Sequence, residues 1–219
     1  MIRFRGLSMS YPVGRGQAVL FGGLDLTIPA GARAALLGRN GAGKSTLLGL
    51  IAGTLAPTGG TIERQGAVSW PMGFAGGFAA DLTGRQNLRF VARIYGADTG
   101  ETEADVEDFA ELGPFLDMPV RTYSAGMRAR LAFGLSMALR FDWYLVDEIA
   151  AVGDAAFRQK SVTAFRDRLG GAGLIMVSHA PGLLRDFCSS GIVICEGGVR
   201  CFDRLDDALD WHEHCLAPG

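Results

Sequence analysis

Apolar and polar residues alternate through the first part of the chain, and residues 2–7, 24–28 and 32–37 read as strands. Gly22 and Gly23, then Pro29, Ala30 and Gly31, supply the turns that divide them. An amphipathic helix follows from about residue 43, and Pro57 to Gly60 form a turn before short strands at 61–63 and 67–70. From residue 81 to about 140 the pattern becomes helical, with periodic segments at 85–95, 101–112 and 124–139. The chain then returns to a strand at 143–147, a helix at about 154–169 and a strand at 174–178. Short strands at 192–195 and 199–202 and a helix from about residue 205 complete it. Alternating β and α elements imply an α/β protein with a mainly parallel, covered sheet, and the helical stretch forms a side subdomain. The expected partition is a core of residues 1–77 and 141–219 with a helical subdomain at 78–140. No internal repeat or low-complexity linker interrupts the pattern.

At 219 residues the chain holds one sizeable core, with room for a small attached subdomain. A net charge of -2 without a polybasic run speaks against nucleic acid as a partner, because backbone binding requires clustered Lys or Arg. Hydrophobic residues make up 48% and the mean hydropathy is +0.21, yet no uninterrupted apolar stretch is long enough to span a bilayer. A well-filled core and a surface that docks on another protein explain that excess equally well. The amino terminus enters a strand pattern at once, so a cytoplasmic protein without a leader is expected. Cys188, Cys195, Cys201 and Cys215 show neither C-x-x-C pairing nor zinc spacing, which favours four reduced thiols. The His212, Glu213, His214 and Cys215 run reads as the solvated end of a last helix rather than a metal site.

The sharpest chemistry lies at Gly38, Arg39, Asn40, Gly41, Ala42, Gly43, Lys44, Ser45 and Thr46. Gly38, Gly43, Lys44 and Ser45 stand on the spacing of a phosphate-binding loop, after an apolar strand and before a helix, as that loop requires. Glycines allow several N–H groups to converge on one anion, and the helix adds the positive end of its dipole. Among 21 basic Lys and Arg residues only Lys44 and Lys160 are lysines, so a compact ammonium has been kept where a planar guanidinium fork would not fit. The chain is therefore expected to bind a nucleoside triphosphate.

Two further segments gain meaning from that loop. Residues 141–148 form an apolar strand ending in Asp147 and Glu148. Asp147 at the carboxyl end of a neighbouring strand is suited to hold Mg²⁺ through water while Ser45 ligates it directly. Glu148 stands one residue on, suited to orient and deprotonate a water. Ser124, Ala125, Gly126 and Met127 open a helix; on sequence alone Ser124 serves equally as an N-cap or as a phosphate receptor.

The order of phosphate loop, Ser-Ala-Gly helix start, acid-ended strand and then Val177, Ser178 and His179 resembles the ATPase subunit of ABC transporters across nearly the whole chain. The resemblance implies a P-loop ABC ATPase fold, with a mixed sheet core, an antiparallel β-subdomain and an inserted helical subdomain. It implies that Tyr11 stacks on adenine, that Ser124 to Met127 contact the ATP of the opposite subunit, and that Glu148 is the catalytic base. It further implies that Ala151 to Asp154 form a dimer-contact loop and that His179 reaches the γ-phosphate. The family's usual glutamine between the two halves is missing from residues 68–78, where Val-Ser-Trp-Pro-Met-Gly-Phe-Ala-Gly-Gly-Phe is apolar and suited to pack on a partner; Gln65 and Gln86 stand out of register.

Residues 69–74, 82–87, 89–96 and 123–139 look like the ATPases of polysaccharide exporters, especially the capsular branch; those for O-antigen or teichoic acid are similar here. The chain stops at Gly219, short of the carbohydrate-binding domain that some O-antigen members carry, which favours the capsular branch. The resemblance implies a homodimer that uses ATP and Mg²⁺ at the cytoplasmic face of the inner membrane. An integral-membrane permease would be its partner and a lipid-linked polysaccharide its indirect cargo. A soluble ABC ATPase without a transport role and a P-loop kinase are the alternatives.

Overall fold

The first two strands run past their apolar alternation: β1 (Ile2–Val13) and β2 (Gly16–Ile28) form a long antiparallel hairpin, and β4 (Gly59–Arg64) pairs with the other side of β1. Gly22 and Gly23, expected as a turn, instead lie inside β2. Gly23 takes a positive φ of 68° and donates its N–H to Ser8 Oγ at 3.0 Å, while Asp25 Oδ1 accepts from the Gly6 N–H at 2.8 Å. The pairing shifts register between Leu7 and Met9, so these glycines absorb an irregularity within the ladder without ending it. The structure, a computed structural model, describes residues 1–14, 16–72, 77–148, 155–195 and 198–216.

The second sheet has the strand order β5-β6-β7-β3-β8-β9. Its members are β3 (Arg33–Gly38), β5 (Val68–Met72), β6 (Trp143–Asp147), β7 (Gly173–Val177), β8 (Ser190–Cys195) and β9 (Gly198–Phe202). The pairs β6 with β7, β7 with β3 and β3 with β8 are parallel, and β9 returns antiparallel on β8. The α/β class expected from the alternation is the one observed. The expected adjacency is not, because β7 lies between β3 and β6. Helix α1 (Lys44–Ala52) packs on both β3 and β6 and so bridges the intervening strand.

Buried β3, β6 and β7 read as continuous apolar runs because both faces of a parallel sheet are covered. Leu36, Leu145 and Ile175 pack with Leu47, Leu48, Leu50 and Ile51 of α1, all at most 1% exposed. Each such side chain contributes about 1.5–3 kcal/mol by leaving water. Ser69 is fully buried and satisfied: its Oγ donates to the Trp70 carbonyl at 2.8 Å and accepts from the Leu145 N–H at 2.9 Å. Two more helices complete this unit, α6 (Pro181–Phe187) and α7 (Leu205–Leu216). Helix α6 was not expected, since seven residues are too few for a periodic signal.

Contacts divide the chain into two units, one of Met1–Pro71, Phe141–Glu148 and Gly171–Gly219, the other of Met72–Arg140 and Ile149–Gly170. The second unit is helical: α2 (Gly84–Ile94), α3 (Thr99–Ala110), α4 (Ala125–Ala138) and α5 (Ala155–Leu169). Thr83 and Gln86 cap α2 reciprocally, and Asp98 caps α3 by accepting the Glu101 N–H at 2.8 Å. Gln86, one of the two out-of-register glutamines, is thus committed to a helix start. Phe109 stacks on Phe133 and meets Phe157 edge-on, and the Arg130 guanidinium lies 4.4 Å from the centre of the Phe157 ring. These contacts join α3, α4 and α5. Among the described residues no helix is long and apolar enough to cross a membrane.

Candidate functional site

The loop at residues 38–46 sits where its chemistry requires, between the last residue of β3 and the first turn of α1. Gly43, the N-cap of α1, has φ 101° and offers no side-chain acceptor, so the first helical N–H groups lack the partner a capping residue would supply. A Cβ on Gly43 would lie 2.7 Å from a Leu20 methyl, and one on Gly38 only 2.8 Å from the Ile194 carbonyl. Space therefore requires a glycine at Gly38, where the neighbour is backbone, while the positive φ of 101° requires one at Gly43, where the neighbour is a movable side chain.

Lys44 folds back over the loop, its Nζ donating to the Gly38 carbonyl at 2.7 Å and to the Arg39 carbonyl at 3.0 Å. Burial lowers the pKa of its ammonium, and the nearby charges of Asp147 and Glu148 oppose that shift. Ser45 Oγ donates to Asp147 Oδ2 at 2.9 Å. These two oxygens suit Mg²⁺, a hard cation that takes oxygen ligands, whereas a softer metal would call for thiolate or imidazole. Among the described residues no cluster of three or more His, Cys, Asp and Glu side chains forms a metal cage. Mg²⁺ is usually held by one or two protein groups together with substrate phosphates.

The carboxyl ends of β3, β7 and β6 place in a row the phosphate loop, His179 and the pair Asp147 and Glu148. Ligands of open α/β sheets settle at this edge of the strands. Glu148 has φ 63°, a left-handed conformation rare for a residue with a side chain, and its N–H donates to the Val177 carbonyl at 3.1 Å. That bond ties the end of β6 to the end of β7 and holds the exposed Glu148 at the rim. A cavity of about 430 Å³ is lined by Tyr11, Asn40, Gly41, Gly43, Lys44, Ser45, Thr46, Asp147, Glu148 and His179. Tyr11 is 39% exposed and its hydroxyl shares a 3.2 Å hydrogen bond with Thr46 Oγ1, leaving ring surface open to solvent. A larger cavity, about 770 Å³, shares Asn40 and Gly41 and extends along β2 to Cys195.

Ser124 acts as the N-cap of α4, its Oγ accepting the Met127 N–H at 3.2 Å. Ser124, Ala125 and Gly126 are exposed. Asp154 and the rest of the expected dimer-contact loop, residues 151–154, lie outside the described residues, as do residues 73–76 of the apolar loop.

Three features escaped the sequence reading. Leu20 lines both cavities and closes on Gly43, a role hidden because a half-exposed leucine in a strand carries no signal of its own. Cys195 and Cys215 are joined by a disulfide, correcting the expectation of four reduced thiols; the spacing could not show it because the partners meet only through the packing of α7. His212 is not at a solvated end: its Nδ1 is buried without a hydrogen-bond partner. Burial lowers its pKa, as do the charges of Lys44 and His179, while Glu213 opposes them.

The sequence profile of the family described as "ABC transporter" matches residues 21–151. The polysialic acid transport ATP-binding protein KpsT of Escherichia coli is 49% identical over 195 residues, spanning 88% of this chain and 87% of that protein. The capsule polysaccharide export ATP-binding protein CtrD of Neisseria meningitidis serogroup B is 40% identical over 212 residues, 97% of this chain and 98% of that protein. Among solved structures, the dimeric post-hydrolysis state of the ATP-binding cassette MJ0796 bound to ADP and Pi superposes with a TM-score of 0.78 at 19% identity. It covers 94% of this chain and 99% of that one, and at that identity the likeness concerns the fold.

Proposed function

The chain belongs to the ABC transporter family as one of its ATPases, and from that membership we propose that it powers export of a lipid-linked capsular polysaccharide across the cytoplasmic membrane. The observation that carries the cargo is the near full-length likeness to capsule-export ATP-binding proteins.

On this reading Lys44 leaves the Gly38 and Arg39 carbonyls for the β- and γ-phosphates, and the loop amides from Asn40 to Ser45 wrap the same anion. Ser45 and Asp147 would hold Mg²⁺, which would offset the negative charge that develops on the phosphate oxygens. Glu148 takes the proton of the attacking water, His179 donates toward the γ-phosphate, and Tyr11 stacks on the adenine. Little covalent work falls to the protein, so positioning dominates the rate.

The exposed start of α4, Ser124 to Met127, meets the ATP held by a second copy, so the working unit is a homodimer that closes on two nucleotides. Asp154 belongs to the contact between copies. Closure pulls on an integral-membrane permease through the apolar loop beginning at Trp70, with the chain held peripherally at the cytoplasmic face. The core of residues 1–77 and 141–219 binds nucleotide, and residues 78–140 carry the signature segment.

Deleting the gene tests this reading. Lipid-linked glycan retained inside a cell with a bare surface is expected, with recovery by the wild-type gene and none by Glu148→Gln. Unchanged surface polysaccharide would remove the cargo assignment. A different missing glycan would move the chain to the O-antigen or teichoic-acid exporters.

A further inference from the structure

Helix α7 packs on β3, β8 and β9. Ala34, Leu36, Ile192 and Ile194 belong to the core packed with α1, so the alternate positions Ala35, Gly191 and Cys195 face the opposite side of the sheet. Gly191 leaves no space for a Cβ beneath Ala208, and four residues further along β8 Cys195 is bonded to Cys215. The helix therefore runs in the same direction as β8, toward the end of the sheet that carries the phosphate loop. Leu205, Ala208, His212 and Cys215 form one stripe at helical spacing, and the stripe ends at that loop. Ile194, next to Cys195, pairs with Gly38, and it is the Ile194 carbonyl that leaves Gly38 no room for a side chain.

We propose that Cys195 and Cys215 are a reversible thiol–disulfide site that fastens the last turns of α7 beneath the phosphate loop and thereby raises its affinity for nucleotide. The inference rests on the nucleotide reading of that loop. The two Cα atoms stand 6.2 Å apart, within the span a disulfide bridges, and the sequence separation is 20. Cys195 lines the 770 Å³ cavity together with Arg39, Asn40, Gly41 and Ala42, so a small oxidant reaches the pair from the side of the loop. Of the other two cysteines, Cys188 is buried and its thiol is pushed up to about 12, and Cys201 is exposed on β9, so Cys201→Ser serves as the control for a competing surface thiol.

The co-reactant is a small-molecule disulfide such as oxidised glutathione. One cysteine thiolate attacks it, forming a mixed disulfide and releasing one glutathione thiolate. The second cysteine thiolate then displaces the other glutathione, so two protein thiols are oxidised while one small disulfide is reduced to two thiols. The two protons from the cysteines end on the released thiolates. With the bond made, the last turns of α7 cannot lift away, and His212, one turn before Cys215, stays buried near Lys44 and His179. With the bond broken, those turns are free to fray and water enters under the strands that carry Gly38.

The test uses the full chain, treated with oxidised glutathione or reduced with a phosphine, and measures a fluorescent ATP analogue by titration and the 195–215 link by peptide mass spectrometry. The oxidised protein is expected to carry the link and to bind about fivefold more tightly than the reduced protein, at the lower end of ordinary coupling between two sites. Cys215→Ser should bind like the reduced protein with or without oxidant, and Cys201→Ser should respond as wild type. Equal affinities in the linked and reduced wild-type proteins would overturn the proposal alone, as would a response that persists in Cys215→Ser. Absence of nucleotide binding in both states would overturn the reading of the loop, and the inference with it.

Discussion

Ser45 Oγ donates to Asp147 Oδ2 at 2.9 Å, joining residues 102 positions apart, one in the first turn of α1 and the other at the end of β6, a strand that does not adjoin the β3 from which α1 departs. Helix α1 crosses the intervening β7 and makes the contact possible. A carboxylate that orients a metal ligand through a hydrogen bond or a water typically accounts for about 10- to 100-fold in metal affinity. Asp147→Asn, which keeps the shape and removes the charge, should raise the Mg²⁺ concentration for half-maximal hydrolysis by about that factor. An Mg²⁺ titration of phosphate release decides it, and an unchanged midpoint would dissociate Asp147 from the metal.

Lys44 is one of only two lysines in a chain otherwise furnished with arginine, and its Nζ already occupies the carbonyls of Gly38 and Arg39. An arginine here keeps the charge but spreads it over a planar fork that does not fit within the turn. Lys44→Arg should lower hydrolysis by about 10²- to 10³-fold, the usual effect of losing one preorganised donor to a developing charge. Its melting temperature should stay within about 2 °C of wild type, because few buried contacts are lost. Activity within tenfold of wild type would show that the site needs a cation without needing its geometry.

The phosphate loop and the acid-ended strand were legible because each requires particular residue types at fixed local spacing, which a single sequence carries in full. Strand order was not: the insertion of β7 between β3 and β6 depends on the pairing of β3 with β7, which joins Arg33 to Leu174 across most of the chain and leaves no trace in the residues at either end. Gly22 and Gly23 misled for a related reason, since a glycine that ends a strand and one that absorbs a bulge look alike until the partner strand is known. The link of Cys195 to Cys215 and the buried Nδ1 of His212 depend on where α7 docks, and the local spacing of His212 to Cys215 pointed to solvent instead.

Glu103 in α3 accepts from both Arg85 and Arg89, and Arg85 also reaches Glu107 and Asp117. The hydrogen bond from Arg89 is the main reason the Glu103 carboxyl is held below the usual 4.5, with Arg85 assisting and burial opposing. A carboxylate with a lowered folded-state pKa stabilises the fold at pH values above its unfolded pKa, and that contribution is lost as pH falls through the folded value. Glu103→Gln should therefore lower the melting temperature by about 2–4 °C at neutral pH, as expected for an ion-pair network with a half-buried centre and exposed outer members. The difference from wild type should shrink at acid pH as Glu103 itself becomes neutral. Parallel melting curves from neutral to acid pH test this, and a constant gap would assign the effect to packing rather than charge.

Glu148 combines a left-handed backbone with a position at the rim of the cavity. A residue with a Cβ costs about 1–2 kcal/mol in that conformation, and its retention at an exposed site needs a reason other than stability. Glu148→Gly should therefore leave the fold as stable as wild type or raise its stability by up to about 1 kcal/mol, since glycine adopts the same φ without strain. The same substitution removes the carboxylate, and turnover should fall by about 10²- to 10⁴-fold, the range for a lost general base. Glu148→Gln separates the two effects: it keeps the strained backbone, so its stability should match wild type while its turnover falls as far as that of the glycine variant. Chemical denaturation beside single-turnover hydrolysis on all three proteins reads both quantities. Near-normal turnover in Glu148→Gln would remove the residue from the general-base role, and a less stable Glu148→Gly would show that the side chain supports the fold.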